Sequence, residues 1–193
     1  MFADLPGALQ RRESEDATTA RAVPEADGLP DYFTQDFHFQ TGGYLTEESA
    51  RLYDVQVETL FLGTAGPMRR AGLRPIAEFM RGRDQRGVQL LDVACGTGRF
   101  LRQVRAAYPA MRLTGVDLSK SYLAEAETCF KMLRPASWVH GNAETIPLAD
   151  ASQDIVTSVF LFHELPPGAR RTVAAEFARV LKPGGEIILL SRV

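Results

Sequence analysis

The sequence predicts an α/β fold, in which a doubly wound and mostly parallel β-sheet carries helices on both faces. After Gly87, short apolar segments alternate regularly with amphipathic ones, as they do in sheets covered on both sides. A glycine-rich turn, Cys95-Gly-Thr-Gly98, joins the first apolar segment to the first amphipathic one. The 193 residues, 45% hydrophobic and 24% charged, suffice for one such domain and an N-terminal appendage.

Five strands are expected in this sheet. The helix after the first strand places Phe100, Val104 and Tyr108 on one face, and Ser119 is suited to cap the helix after the second strand. A Pro-Gly pair in the tetrapeptide 182–185 predicts a type II turn into the last strand. Right-handed crossovers would give the strand order 3-2-1-4-5. The predicted strands are 88–93, 113–116, 137–140, 154–160 and 186–190.

The first 86 residues lack this alternation and divide into two parts. Residues 1–30 combine polar residues and proline without apolar periodicity, which predicts a disordered tail. Residues 31–86 predict an N-terminal helical cap, because Thr46 can cap a helix whose apolar face carries Tyr53 and Val57. A second cap helix is expected at 73–80. The predicted main domain therefore covers 87–193.

Charge and cysteine content narrow the classes of function. With 22 basic and 24 acidic residues, the net charge of -2 provides no basic surplus for binding nucleic acid. The two cysteines, Cys95 and Cys129, are too few for a disulfide scaffold and lack metal-ligand spacing, so no metal is expected. No apolar run is long enough for a membrane span, and the N-terminus lacks the features of a signal peptide. We expect a cytoplasmic protein.

The glycine-rich turn predicts a cofactor site. Gly96 and Gly98 allow a tight turn and close approach of a ligand to the first-turn amides of the following helix. Asp117 ends the second strand 19 residues after Gly98, where a carboxylate can bind both hydroxyls of an adenosine ribose. The third glycine of the dinucleotide fingerprint is replaced by Leu101, which disfavours a pyrophosphate.

These motifs resemble those of the class I S-adenosylmethionine-dependent methyltransferases, a Rossmann-like family. The run Asp92-x-Ala94-x-Gly96-x-Gly98 resembles the family's first motif, with alanine where the first glycine often stands. Further matches follow in the family's order, at Val116-Asp117, 141–147, 154–158 and 180–185. The wording of these motifs is most similar to the ubiquinone/menaquinone-biosynthesis branch.

The resemblance implies a role for each matching position. S-adenosyl-L-methionine would be the cofactor, and its methyl group would pass to a small-molecule acceptor by in-line displacement. Asp92 would orient the cofactor's ammonium, Asp117 would hold the ribose, and Asn142 would meet the adenine although the family more often has aspartate there. The implied cofactor-binding residues are Asp92, Ala94, Cys95, Gly96, Gly98, Asp117, Leu118, Asn142, Ala143, Phe160 and Leu161.

The acceptor side of the site is less defined by sequence. His163 follows the fourth strand, where it is a candidate catalytic base or a loop histidine that caps a helix. His38 and Tyr44 could reach the substrate from the cap, or belong to ordinary aromatic packing. Arg69 and Arg70 could meet an acidic substrate, but a solvated helix end is the favoured interpretation.

Two other functions and one structural expectation remain. An NAD-type oxidoreductase is the first alternative and is disfavoured by Leu101. A non-catalytic cofactor-binding or interaction module is the second alternative. The family's sheet normally has seven strands, whereas this sequence ends with the fifth, so strands six and seven would be absent. We therefore expect a C-terminally incomplete domain whose last strand, 186–190, forms an unprotected apolar edge.

Overall fold

The computed structural model describes residues 28–34 and 45–191. In these ranges, three α-helices and a short 3-10 helix (Gln85–Gly87) precede the sheet, and strands alternate with helices after them. The helices are α1 (Glu47–Leu60), α2 (Ala65–Ala71), α3 (Leu73–Phe79), α4 (Arg99–Ala107), α5 (Lys120–Phe130) and α6 (Pro167–Val180). The strands are β1 (Gln89–Val93), β2 (Arg112–Asp117), β3 (Ser137–His140), β4 (Gln153–Val159) and β5 (Leu181–Leu190).

The five strands form one parallel sheet in the order β3-β2-β1-β4-β5, which confirms the predicted α/β fold and strand order. β1 is central and pairs with β2 through Val93 and Val116, and with β4 through Asp92 and Thr157. Because the strands are parallel, their carboxyl ends lie at one edge of the sheet. That edge is where ligands bind in open α/β sheets.

Apolar residues cover both faces of the sheet. One buried cluster lies between the sheet and α4 and α5, and includes Leu90, Val104 and Phe130. The other lies against α6 and includes Leu91, Val156 and Phe177. The alternation of neighbouring β1 residues between the two clusters follows from the two-residue period of a strand. Both faces of the sheet are therefore covered by apolar side chains.

The N-terminal helices are joined to this edge by polar contacts. Thr46 caps α1 as predicted, since its Oγ1 accepts a hydrogen bond from the Ser49 N–H. α2 was not predicted, and α3 lies close to the second predicted helix. Asp54 of α1 accepts hydrogen bonds from Thr97 Oγ1, at 3.0 Å, and from Arg99 Nε, at 2.5 Å. α1 is thereby attached to the glycine-rich turn.

β5 begins earlier than predicted, because the strand includes the Pro-Gly segment before residue 186. Its pairing with β4 is irregular there: Gln153 pairs with Leu181, and the next partners are Ile155 and Glu186. Gly184 has a φ of 78°, the value a type II turn requires at its third position. β5 is an edge strand in the described part of the chain, and its Ile187 and Leu189 side chains are 40% and 47% exposed.

Candidate cofactor and active site

The glycine-rich turn adopts the left-handed backbone that close approach of a ligand needs. Ala94, Gly96 and Gly98 have φ values of 58°, 54° and 72°. A Cβ on Gly98 would lie 3.0 Å from the Trp138 ring and 3.2 Å from Ala126 Cβ, so this position admits only glycine without repacking. α4 begins directly after Gly98, which presents its first-turn amides at the carboxyl edge.

Asp117 lies at the end of β2 beside this turn and is 8% exposed. Its Oδ2 accepts a hydrogen bond from the Gly96 N–H and its Oδ1 accepts one from the Ser119 N–H, both at 2.8 Å. Burial raises the pKa of this carboxyl, and the backbone hydrogen bonds oppose that effect. A carboxylate has about four acceptor positions, so Asp117 keeps acceptor capacity for a ligand hydroxyl beside these backbone donors.

Asp92 is the most deeply buried carboxyl of the site, with 1% of its surface exposed. Its Oδ1 accepts a hydrogen bond from Thr157 Oγ1 at 2.7 Å. Burial, with a smaller effect of the nearby Asp117 charge, raises the pKa of Asp92 to about 7, although the Thr157 hydrogen bond and the Arg69 charge act to lower it. A buried carboxyl with so little compensation is suited to receive a cationic group from a ligand.

α2 contributes a buried guanidinium to the same region. Arg69 is 6% exposed, whereas its neighbour Arg70 is exposed, so the expected solvated helix end is wrong for Arg69. Its Nη1 lies 3.6 Å from Glu58 Oε1, and among the described residues its guanidinium makes no hydrogen bond. The guanidinium also lies 5.8 Å from the centroid of the Phe160 ring. Its donors therefore remain available to an anion.

The sequence offers Arg69 as a contact for an acidic substrate but favours a solvated helix end, because its pattern does not predict α2. The buried positions of α2 are Ala65 and Arg69, four residues apart and thus on one helix face. A helix pattern drawn from Ala65 would have placed Arg69 on the inner face.

Tyr53 of α1 lies at the centre of these charged groups. Burial is the main cause that raises the pKa of its phenol to about 12. The charges that act on it come from four separate elements or loops: Asp54 on α1, Arg69 on α2, Asp117 on β2 and Glu164 after β4. Its ring packs edge-on against Tyr122, with centroids 5.2 Å apart. The N-terminal helices and the sheet thus share one site.

The loop after β3 contains the predicted adenine contacts, Asn142 and Ala143, both of which are partly buried. Asn142 Oδ1 accepts a hydrogen bond from the Glu144 N–H at 2.9 Å, and the Asn142 carbonyl accepts one from the Thr145 N–H at 3.0 Å. The amide oxygen is therefore turned toward the loop, and the amide NH₂ remains to face a ligand.

The residues after β4 form an aromatic wall. Phe160 has a φ of 65° and stacks on Phe61, with centroids 5.4 Å apart, and Leu161 beside it is partly buried. His163 Nε2 lies 2.9 Å from Glu164 Oε1, and its Nδ1 lies 3.3 Å from Ser191 Oγ. Both ring nitrogens thus have partners, and the role of His163 as a base remains a prediction.

The other predicted site residues have varied surroundings. Cys95 is buried, and burial raises the pKa of its thiol well above the usual value. Leu118 follows Asp117 and is partly buried. His38 and Tyr44 lie outside the described residues.

Within the described ranges, no group of three His, Cys, Asp or Glu residues could hold a metal ion, and no helix has the length and apolar character to cross a membrane.

An open cleft of about 690 Å³ runs beside α1 and leads from the surface to Arg69. It combines charged and apolar side chains. The lining residues are Asp54, Val55, Glu58, Thr59, Leu62, Gly63, Arg69 and Arg99. Asp54 and Arg99 join this cleft to the glycine-rich turn.

Comparison with known proteins places this geometry in a family. Residues 90–185 match the family described as "Methyltransferase domain". The chain is 37% identical over 106 residues to a demethylmenaquinone methyltransferase of Bacillus licheniformis, covering 54% of this chain and 45% of that protein. It is 33% identical over 150 residues to a ubiquinone/menaquinone biosynthesis C-methyltransferase of Syntrophotalea carbinolica, covering 76% and 59%.

A solved structure agrees at the level of the fold. A protein of Methanococcus maripaludis, described as a candidate S-adenosyl-L-methionine-dependent methyltransferase, superposes with a TM-score of 0.56 at 21% identity. The match covers 75% of this chain and 63% of that one. The chain spans about half the length of the curated relatives it matches.

Proposed function

We propose that the protein transfers a methyl group from S-adenosylmethionine to a small-molecule acceptor, because residues 90–185 match the methyltransferase domain family and the chain resembles ubiquinone/menaquinone-biosynthesis methyltransferases. When bound, the cofactor supplies an electrophilic methyl group on a sulfonium, which the acceptor displaces in line. The task of the chain is to hold both molecules in alignment and to exclude water.

One observation carries the proposal: two buried groups of opposite charge lie near each other at the carboxyl edge without forming an ion pair. The charge of Arg69 lowers the pKa of Asp92, but the only carboxylate within salt-bridge distance of Arg69 among the described residues is Glu58. This arrangement is complementary to a zwitterionic amino acid. Asp92 would bind the ammonium of the cofactor's methionine part, and Arg69 would bind its carboxylate.

The adenosine part fits the other half of the site. Asp117 would accept hydrogen bonds from the ribose hydroxyls, and the Asn142 NH₂ group would donate to the base, since its Oδ1 is engaged by the Glu144 N–H. Gly96 and Gly98 leave room for the backbone to approach the methionine part. The residues present therefore fit each chemical part of S-adenosylmethionine.

We infer that the acceptor is an aromatic hydroxyl compound of the quinol type. Two curated relatives are named for methylation in quinone biosynthesis. The stacked Phe61 and Phe160 rings would favour a flat aromatic acceptor. Glu164 would keep the His163 proton on Nε2, and an acceptor hydroxyl would then replace Ser191 Oγ as the donor to Nδ1 and pass its proton to that nitrogen.

The test is a transfer assay with S-adenosylmethionine labelled on its methyl group and demethylmenaquinol with a short side chain. We expect label to enter the organic phase only when the acceptor is reduced, because the hydroxyl form supplies the nucleophile. His163→Ala should lower the rate without weakening cofactor binding. Binding of S-adenosylhomocysteine without any transfer would contradict the acceptor class and leave the cofactor assignment standing. Failure to bind S-adenosylhomocysteine would contradict the proposed function as a whole.

A further inference from the structure

A short N-terminal turn lies against the loop that would hold adenine. Residues 30–34 form the turn, in which the Phe33 and Thr34 N–H groups donate hydrogen bonds to the Pro30 carbonyl at 2.8 and 3.3 Å. Thr34 Oγ1 donates to the Asp31 carbonyl, and Thr34 is 4% exposed. The turn is thus a defined part of the fold, although it precedes α1 in the chain.

Tyr32 connects this turn to the adenine loop. Its hydroxyl donates a hydrogen bond to Glu144 Oε1 at 2.5 Å, between residues 112 positions apart. Its ring packs on the buried cluster that contains Ile146, and Ala143 packs on the same cluster. Burial and the adjacent Glu144 carboxylate raise the pKa of Tyr32, so the phenol stays protonated and keeps donating at neutral pH.

Glu144 in turn determines how Asn142 is presented. The Glu144 N–H donates to Asn142 Oδ1 at 2.9 Å, so the position of residue 144 decides which atoms of the amide face the ligand. With its oxygen engaged, the side chain offers its NH₂ group. A donor at this point matches an acceptor nitrogen of adenine, such as N1, and opposes the N1–H of hypoxanthine.

The far end of the loop is held independently by α6. Glu176 Oε2 accepts a hydrogen bond from the Ile146 N–H, and Arg179 donates to the carbonyls of Ile146 and Leu148, all at 2.7 to 2.8 Å. These contacts hold residues 146–148 whether or not Tyr32 is present. At Glu144 the side-chain contact comes from Tyr32 among the described residues.

We propose that Tyr32 is a positioning residue for adenine recognition, acting through Glu144 on Asn142. The turn at 30–34, outside the segment that matches the methyltransferase domain family, is then part of the cofactor site. This inference rests on the proposed function, since it presumes that the loop after β3 binds the base. It makes selectivity for adenine a property of the N-terminal turn as well as of the sheet.

The experiment compares Tyr32→Phe with wild type in calorimetric titrations with S-adenosylhomocysteine and S-inosylhomocysteine, which differ only in the base. Only part of the free energy of the Tyr32–Glu144 hydrogen bond would contribute to ligand binding. We therefore expect Tyr32→Phe to bind S-adenosylhomocysteine about five- to tenfold more weakly. The hypoxanthine compound should lose less, so the selectivity ratio falls. Glu144→Gln keeps an acceptor for the phenol and should retain most of the selectivity.

Tyr108→Phe is the matched control. Tyr108 is also partly buried, packs against the other core cluster and lies away from the adenine loop. Tyr108→Phe should leave the affinities for S-adenosylhomocysteine and S-inosylhomocysteine unchanged. If Tyr32→Phe changed both affinities by the same factor, and so kept the selectivity ratio of wild type, the proposal would be overturned. If wild type itself failed to bind S-adenosylhomocysteine, the proposed function would fail first and this inference with it.

Discussion

The two ends of the candidate cofactor pocket are built on different physical principles. The adenosine end is made of short loops that follow β1, β2 and β3, and its polar groups, such as Asp117, are largely occupied by backbone N–H donors. The amino-acid end joins β1 to α2 and holds the buried charges of Asp92 and Arg69, which have few partners. Loops after parallel strands produce recurring motifs, whereas buried charges on separate elements depend on tertiary packing.

The difference can be measured with two ligands. S-adenosylhomocysteine occupies both ends of the pocket, and 5′-methylthioadenosine has the adenosine part without the amino-acid part. A change at the adenosine end should weaken both ligands equally. A change at the amino-acid end should weaken only the first.

The largest effect is expected at Asp117. Asp117→Ala removes the acceptor for two ribose hydroxyls and two backbone N–H groups, so both ligands should bind more than about 100-fold more weakly. Asp117→Asn keeps one acceptor oxygen and should lose less, which separates ribose binding from loop folding. If calorimetric titration showed that Asp117→Ala lost affinity only for S-adenosylhomocysteine, the division of the pocket into an adenosine end and an amino-acid end would be contradicted.

Arg69 should show the opposite selectivity. Arg69→Met removes a buried charge-assisted hydrogen bond to the carboxylate, and S-adenosylhomocysteine should bind roughly 20- to 50-fold more weakly. The affinity for 5′-methylthioadenosine should stay within about twofold of wild type. Arg70→Met, at the exposed neighbouring position, should change neither affinity. Equal losses for both ligands would show that Arg69 supports the fold instead of the carboxylate.

Asp92 should make binding depend on pH. The ammonium of S-adenosylhomocysteine requires the ionised carboxylate, whose pKa is raised to about 7, so affinity should rise roughly tenfold from pH 6 to 8. The free energy of unfolding of the ligand-free protein should change in the opposite direction. Because the folded state holds this proton more tightly than the unfolded state, stability declines as the pH rises from about 4 to 7. Asp92→Asn should flatten both profiles, and 5′-methylthioadenosine should bind independently of pH. A flat profile for wild type would contradict the assigned role.

The smallest effect concerns the glycine-rich turn that both ends share. Ala94 has a φ of 58°, a strained value for a residue with a Cβ. Ala94→Gly should relieve that strain and raise the free energy of unfolding by about 0.5 kcal/mol, after the entropy of glycine in the unfolded chain is counted. Ala106→Gly, at an exposed position of α4, should lower it by about 1 kcal/mol. Urea unfolding measures both, and destabilisation by Ala94→Gly would show that the turn is not strained.

The sheet could be predicted from sequence because its signals are local. The β3 bounds, the Ser119 cap and the strand order follow from apolar periodicity, capping chemistry and the handedness of crossovers, and all agree with the structure. The predicted start of β5 differs from the observed one, because Leu181 before the Pro-Gly turn pairs with Gln153 and the regular pairing resumes only at Glu186.

The amino-acid end could not be predicted in the same way. Arg69 belongs to a seven-residue helix, too short for a clear apolar period, and its environment depends on Phe160 and Glu58 from other parts of the chain. Likewise, the Tyr32–Glu144 contact joins residues 112 positions apart and has no local pattern. Long-range contacts of this kind appear only once the sheet has brought the loops together.

The most direct test of the account is a calorimetric titration of the purified chain with S-adenosylhomocysteine at pH 8, where Asp92 is ionised. We expect S-adenosylhomocysteine to bind at one site per chain with a dissociation constant of about 1 to 100 µM. 5′-Methylthioadenosine should compete for the same site. Absence of heat at millimolar ligand, or binding of the two ligands without competition, would contradict it.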